Sequence, residues 1–311
     1  MDQMRIIFFG TPEFAVPSLE EILKGPDAVV AVVCQPDKPA GRGQQLAEPP
    51  VKQAAVAAGI PVLQPIKVRT SDFLEAMRAW KPDLIVVAAY GRILPKTVLE
   101  LPPLGCINVH ASLLPKYRGA APIQWSILNG DGETGITIMQ MSEEMDAGEI
   151  LLQRATAIGD DETYGDLQTR LAQLGAQVLR DALTELRGGR LHATPQDPTA
   201  VTMAPMIKKE DGRIDWRLPA AVLACRVRGF NPWPSATTLL GGKLLKIHRA
   251  RAVAGASAAT PGTVASIAGG IHVACGQGML VIDELQLEGR KRLAAGDFVR
   301  GGILSAGTRL G

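Results

Sequence analysis

The sequence predicts an α/β domain with a mostly parallel sheet, followed by a small β-barrel. Three observations carry this prediction. Short apolar runs alternate with helical stretches through the first two-thirds of the chain, the pattern of strands covered by helices. Pro195, Pro198 and Pro205 then break that pattern. Beyond them, short strand-like runs are separated by glycine turns, as in small barrels.

The first runs of strand length are Arg5 to Phe9, Val29 to Cys34, Leu84 to Ala88 and Cys106 to His110. Helical stretches lie between them at Ser18 to Leu23, Lys52 to Ala58 and Asp72 to Ala79. Gly135 to Met141 and Ile150 to Ala157 read as further strands around an acidic loop. A long helix follows. Thr163 and Asp166 form its capping box. Leu167, Leu171, Leu174, Val178 and Leu186 make an apolar stripe that serves core packing, and Gly188-Gly189 ends it. Residues 190–206 read as a linker, dividing the chain into domains at 1–189 and 207–311. Pro219 to Arg228 is helical in pattern. Strands are expected at Ala236 to Leu240, Lys243 to Ala250, Gly262 to Ile267, Ile271 to Ala274 and Met279 to Leu285, with Gly241-Gly242 as a hairpin turn.

A chain of 311 residues can build two real cores, and 46% hydrophobic with 21% charged residues suits a soluble globular protein. The opening run Met4 to Gly10 is too short for a signal peptide or a membrane span. A cytoplasmic location without membrane contact is expected. Cys34, Cys106, Cys225 and Cys275 are scattered, so buried free thiols are expected. The four histidines lack metal-ligand spacing, and no metal is expected. Phe9-Gly10-Thr11-Pro12 lacks the full G-x-G-x-x-G spacing, which argues against a dinucleotide. The net charge of +2 is unevenly divided. Through Met203 there are 18 Lys and Arg against 24 Asp and Glu; from Ala204 there are 15 against 7. That split, −6 against +8, points to a polyanion held by the C-terminal part.

Asn108-Val109-His110 carries the chemistry. Residues two apart on a strand point to one side, so Asn108 and His110 project together where a strand ends. An amide beside an imidazole supplies the donors an oxyanion needs. Asp146, in Met145-Asp146-Ala147-Gly148, offers a carboxylate to hold the ring. This pattern suits acyl or formyl transfer without a protein nucleophile. Taken alone, a polar residue at a strand end is more often a turn former.

The surroundings decide. The block Asn108 to Gly148 resembles the folate-dependent formyltransferases, through Asn108-Val109-His110, Ser112 to Pro122 and Met141 to Gly148. The resemblance continues in Phe9 to Phe14 and in Arg226 to Pro234, covering nearly the whole chain. It implies a Rossmann-like catalytic domain and an OB-like C-terminal barrel. It implies transfer of the formyl group of 10-formyltetrahydrofolate to the α-amino group of initiator methionyl-tRNA, by direct attack of the amine. Asn108 and His110 would stabilise the oxyanion, while Asp146 would orient His110 and favour its imidazolium. Glu143 and Glu144 are the alternative carboxylates. Backbone around Arg92, Ile93 and Leu94 would face the pterin. Ser112, Leu113, Leu114 and Pro115 would hold the co-substrate, with Gln140, Met141, Glu143 and Glu144 as the other wall.

The Gly/Pro-rich loop Pro36 to Gln45, with Lys38 and Arg42, would enter the acceptor arm of the tRNA. Here the chain departs from the family, since Gln44-Gln45 stand where relatives often carry lysines, and this weakens the electrostatic part of binding. Lys208, Lys209, Lys243, Lys246, Arg249, Arg251, Arg290, Lys291 and Arg292 are the expected phosphate contacts. Trp233, between two prolines, is either a structural plug or a stacking platform. A monomer is expected. The competing readings are a formyltransferase for another amine, a formyltetrahydrofolate hydrolase, or a non-catalytic RNA-binding protein. The basic tail and Gly41-Arg42-Gly43 argue against the first two, and the intact Asn108, His110 and Asp146 argue against the third.

Overall fold

The computed structural model describes residues 3–40, 45–255 and 258–311. The chain runs through β1 (Arg5–Gly10), α1 (Val16–Lys24), β2 (Ala28–Val33), β3 (Lys38–Ala40), β4 (Gln45–Ala47), α2 (Pro50–Ala57), β5 (Val62–Leu63), α3 (Ser71–Ala79), β6 (Leu84–Ala88), α4 (Lys96–Leu99) and β7 (Cys106–His110). It continues through β8 (Arg118–Gly119), α5 (Pro122–Leu128), β9 (Glu133–Gln140), β10 (Ile150–Ala157), α6 (Tyr164–Arg187) and β11 (Met203–Ala204). Last come α7 (Ala220–Gly229), β12 (Ala236–Leu240), β13 (Lys243–Val253), β14 (Val264–Ser266), β15 (Ile271–Ala274), β16 (Met279–Leu287), β17 (Leu293–Ala294) and α8 (Ala295–Arg300). Two compact units result. The first holds the residues up to Pro122, Glu133–Ala157 and Gln168–Pro205; the second holds Ile123–Gly132, Ile158–Leu167 and Met206–Gly311.

The first unit is built on a seven-stranded sheet of order β10-β9-β7-β6-β1-β2-β5. β1 pairs in parallel with β2 on one side and β6 on the other, which opens a crevice at the carboxyl ends of the strands. β9 runs antiparallel to β7, placing Asn108 opposite Met139 and His110 opposite Thr137. Ile6, Ile7, Phe8 and Phe9 are all fully buried. That is why β1 reads as a continuous apolar run without alternation: both faces of a parallel sheet are covered. Phe9 and Tyr90 pack edge to face at 5.1 Å inside this core. Thr163 and Asp166 form the expected capping box, with reciprocal bonds of 3.1 and 3.3 Å. Gly189, at φ +65°, turns the chain away after α6.

Residues 190–206, read as a linker from their prolines, bond along the first unit as far as Pro205. Thr194 exchanges two 2.8 Å backbone bonds with Ile150, and β11 pairs in parallel with β8. Prolines disfavour a long strand but permit isolated bridges, so the backbone polar groups find partners in strand fragments too short to leave a sequence pattern.

The second unit carries an antiparallel sheet of order β12-β13-β16-β15-β14, with β17 on β16. β13 runs on to Val253, past the expected end at Ala250, because β16 pairs it to that point through two register shifts around Arg249. The strand path is a half-barrel, since β12 and β14 are its two edges. The chain's last residues hydrogen-bond to both: Leu310 N–H donates to Gly262 beside β14, and Gly311 N–H to Leu239 of β12. Trp216, Leu223, Leu245, Ile247, Leu280, Ile282, Leu285 and Phe298 fill its core. No described helix is long and apolar enough to cross a membrane.

Candidate active site

β7 sends Val109 toward α6, where a Cβ on Gly175 would lie 3.0 Å from the valine Cγ1. Asn108 and His110 therefore take the opposite face. His110 is buried, at 6% exposure, and its Nε2 lies 3.0 Å from the Tyr117 carbonyl oxygen. A carbonyl only accepts, so Nε2 carries a proton and donates it. Nδ1 then faces Asp146, with Oδ2 at 3.8 Å. This separation is too long for a hydrogen bond. The same Oδ2 accepts the Gly119 N–H at 2.8 Å. Asp146 holds a left-handed backbone, φ +51°. The side-chain amide of Asn108 makes no hydrogen bond among the described residues, so its N–H groups are available to a ligand.

Electrostatics corrects one expectation. Burial pushes the His110 imidazole below its ordinary value, and this outweighs the opposite pulls of Asp146 and of the Tyr117 carbonyl. The ring has lost its hydration, and the carboxylate stands off at 3.8 Å. The balance favours a neutral imidazole with a lone pair on Nδ1 over the imidazolium that Asp146, taken alone, would favour. Such a ring accepts a proton at Nδ1. Among the side chains of the pair, Asn108 is then the ready oxyanion donor.

Glu143 and Glu144 do not reach this pair. They are exposed, and bridge at 3.5 Å to Lys96 and Arg118 respectively. Gly148 is required where it stands, since a Cβ there would lie 1.7 Å from the Gln140 carbonyl oxygen. Tyr117 and Gly119 act through backbone atoms, which leave no signature in side-chain type; this is why sequence reasoning missed them.

The expected co-substrate residues have diverse settings. The Arg92 guanidinium donates from Nη1 to the carbonyls of Pro65 and Ile66 at 3.0 and 2.7 Å, which ties that nitrogen to the protein. Ile93 is 65% exposed, whereas Leu94 is buried in the core. Ser112 is fully buried and donates to Lys116 O at 2.6 Å. Leu114 is buried, and its N–H donates to Thr137 Oγ1 at 3.1 Å. Leu113 packs near Gly135, and Gln153 donates to Leu114 O. The segment Ser112 to Pro115 is thus a pinned loop whose serine and second leucine face inward. Gln140 lies against Gly105, and Met141 packs partly buried on the core.

Lys38 donates to Gln35 Oε1 at 2.8 Å at the root of the β3–β4 hairpin. Lys52 binds both stems of that hairpin, at 2.7 Å from Asp37 and 2.9 Å from Glu48. Arg42 and Gln44 lie outside the described residues. In the second unit Lys208, Lys209, Lys243, Arg290 and Lys291 are exposed and Lys246 is half-buried. Arg249 pairs with Asp161 at 3.1 Å, Arg251 with Asp283 at 3.9 Å, and Arg292 with Glu284. Acidic partners thus temper the basic face in a way that charge counting along the sequence misses. Trp233 is half-exposed, and its carbonyl accepts from Gln124 at 3.0 Å. No cluster of metal-ligating side chains occurs among the described residues.

Comparison with known proteins places the chain in a family. Residues 4–183 match the family model described as formyl transferase, and residues 206–302 match that of the formyl transferase C-terminal domain. The chain is 53% identical to methionyl-tRNA formyltransferase of Citrifermentans bemidjiense, over 100% of this chain and 98% of that protein. Its fold is similar to that of methionyl-tRNA formyltransferase from Clostridium thermocellum, with TM-score 0.57 and 16% identity over 91% of this chain and 98% of the other. It is also similar to HypX from Aquifex aeolicus in complex with tetrahydrofolic acid, with TM-score 0.62 and 18% identity, covering 97% of this chain and about half, 48%, of that one. The chain belongs to the formyl transferase family, and within it groups with the methionyl-tRNA formyltransferases.

Proposed function

We propose that this protein transfers the formyl group of 10-formyltetrahydrofolate to the α-amino group of initiator methionyl-tRNA, for translation initiation in the cytoplasm. The observation that carries the reading is an Asn108 amide without a partner among the described residues, on the same strand face as a His110 whose Nδ1 faces Asp146. The bound folate supplies the formyl group. The exposed Ile93 side chain supplies an apolar surface and the Asn108 amide free polar donors, the two kinds of group such a ligand needs.

Asn108 donates to the formyl oxygen as it gains charge under attack by the neutral amine. His110 Nδ1 takes the proton that the amine must shed. The charge that then forms on the ring sits opposite Asp146, which favours it. The proton passes on to the folate nitrogen as its bond to carbon breaks. One C–N bond forms, one breaks, and one proton changes nitrogen. Residues 1–189 would perform this step, with residues 207–311 holding the tRNA through Lys208, Lys209 and the Lys243 to Arg292 group. Arg42 would act near the acceptor end.

The test is direct. The protein is incubated with labelled formyl-folate and either methionyl-tRNA or free amines. Label on methionyl-tRNA is expected; label on small amines alone, or release of formate, overturns the assignment. Asn108→Ala and His110→Ala should each cost about 10²- to 10³-fold in turnover. Near-normal turnover in either variant removes that residue from the mechanism.

A further inference from the structure

Gln196 lies 50 residues from Asp146 in sequence, in the segment whose composition marks it as a linker. Its side chain is entirely engaged. Nε2 donates to the carbonyls of Asp146 at 2.8 Å and Gly148 at 2.7 Å. Oε1 accepts from Arg118 Nε at 3.0 Å and Nη2 at 2.8 Å. A primary amide has two donors and two lone pairs, and all four are used within the protein. Gln196 has nothing left with which to bind substrate.

The bonds converge on one geometric element. Gln196 ties the backbone of Asp146 to Arg118, while the next residue, Gly119, holds the Asp146 carboxylate through its N–H. The loop is thus fixed at two points to the short strand β8. Fixation matters because Asp146 is in a left-handed conformation, φ +51°, which an aspartate released from its neighbours leaves for commoner ones. The carbonyl bonds hold that conformation, and with it the placement of Oδ2 against His110 Nδ1.

We infer that Gln196 is a positioning residue for the transfer reaction, setting the placement of Asp146 against His110 from outside the motifs that carry the chemistry. The inference rests on the role proposed above for Asp146, and the experiment separates the two. Gln196→Leu removes all four bonds. Gln196→Glu keeps an acceptor for Arg118 and loses both donations, so it remains informative should the leucine variant fail to fold.

In both variants kcat is expected to fall about 10²-fold, the usual effect of a catalytic group displaced by about 1 Å. KM for 10-formyltetrahydrofolate and for methionyl-tRNA should hold, and the acid limb of the pH–kcat profile should move. Combined with Asp146→Asn, Gln196→Leu should add no further loss, because the group it positions has been disabled. Full additivity in the double variant, a change confined to KM, or unchanged kcat overturns the inference. Normal turnover in Asp146→Asn alone would instead overturn the proposed role of Asp146.

Discussion

Gly148→Ala turns a contact distance into a rate. A Cβ at residue 148 would stand 1.7 Å from the Gln140 carbonyl oxygen and 2.8 Å from its carbon. Contacts under 3.0 Å are essentially never made by real Cβ atoms, and the obstacle here is backbone. The loop must therefore recede from β9 by about 1.3 Å, the gap between 1.7 and 3.0 Å. Asp146 is two residues away and moves with it. Gln140 N–H meanwhile donates to the Glu149 carbonyl at 2.9 Å, a bond the same shift strains. A displacement of about 1 Å typically costs about 10²-fold in rate, so Gly148→Ala should lower kcat by about that factor or more. Steady-state formylation of methionyl-tRNA measures it. A thermal melt alongside shows whether the fold survives, which it should, because the seven-stranded sheet does not pass through this loop. A folded Gly148→Ala protein with wild-type kcat would refute the reasoning, since the Asp146 loop would then tolerate displacement.

Two further predictions concern pH and salt. Burial holds the folded pKa of His110 below the unfolded value, and His248 is shifted in the same direction by the same cause. The unfolded chain then binds protons first. Stability should be full above about pH 6.5 and decline as pH falls from there toward the folded value. Thermal melts across that range should show this slope, and His110→Asn should reduce it; an unchanged slope would mean that the buried ring is not the source. Neutralising Lys243, Lys246, Arg290 and Lys291 should weaken tRNA binding and flatten its salt dependence by about 0.7–0.9 in log–log slope per lost phosphate contact. Arg42→Leu should leave that slope nearly intact and reduce discrimination of initiator from elongator tRNA, read by formylation of the two; wild-type affinity and slope in the tail variants would show that the basic face does not hold tRNA.

The elements of the first sheet were legible because their information is local. β6, β7 and β10 follow from apolar runs bounded by turn residues, and α6 from its stripe, its Thr163–Asp166 box and the glycines after it. Asn108 and His110 share a face because strand geometry alone dictates it. What tertiary structure decided is where partners come from. The 3.0 Å bond that fixes the His110 tautomer uses the carbonyl of Tyr117. The loop of Asp146 is held by a glutamine from a segment that looked like a linker. The pairing of Arg249 with Asp161 spans 88 residues. Carbonyls are common to every residue, and long-range pairing has no period, so neither leaves a mark in a one-dimensional pattern. The protonation of His110 likewise depends on the balance between lost hydration and a carboxylate 3.8 Å away, which only the folded chain sets.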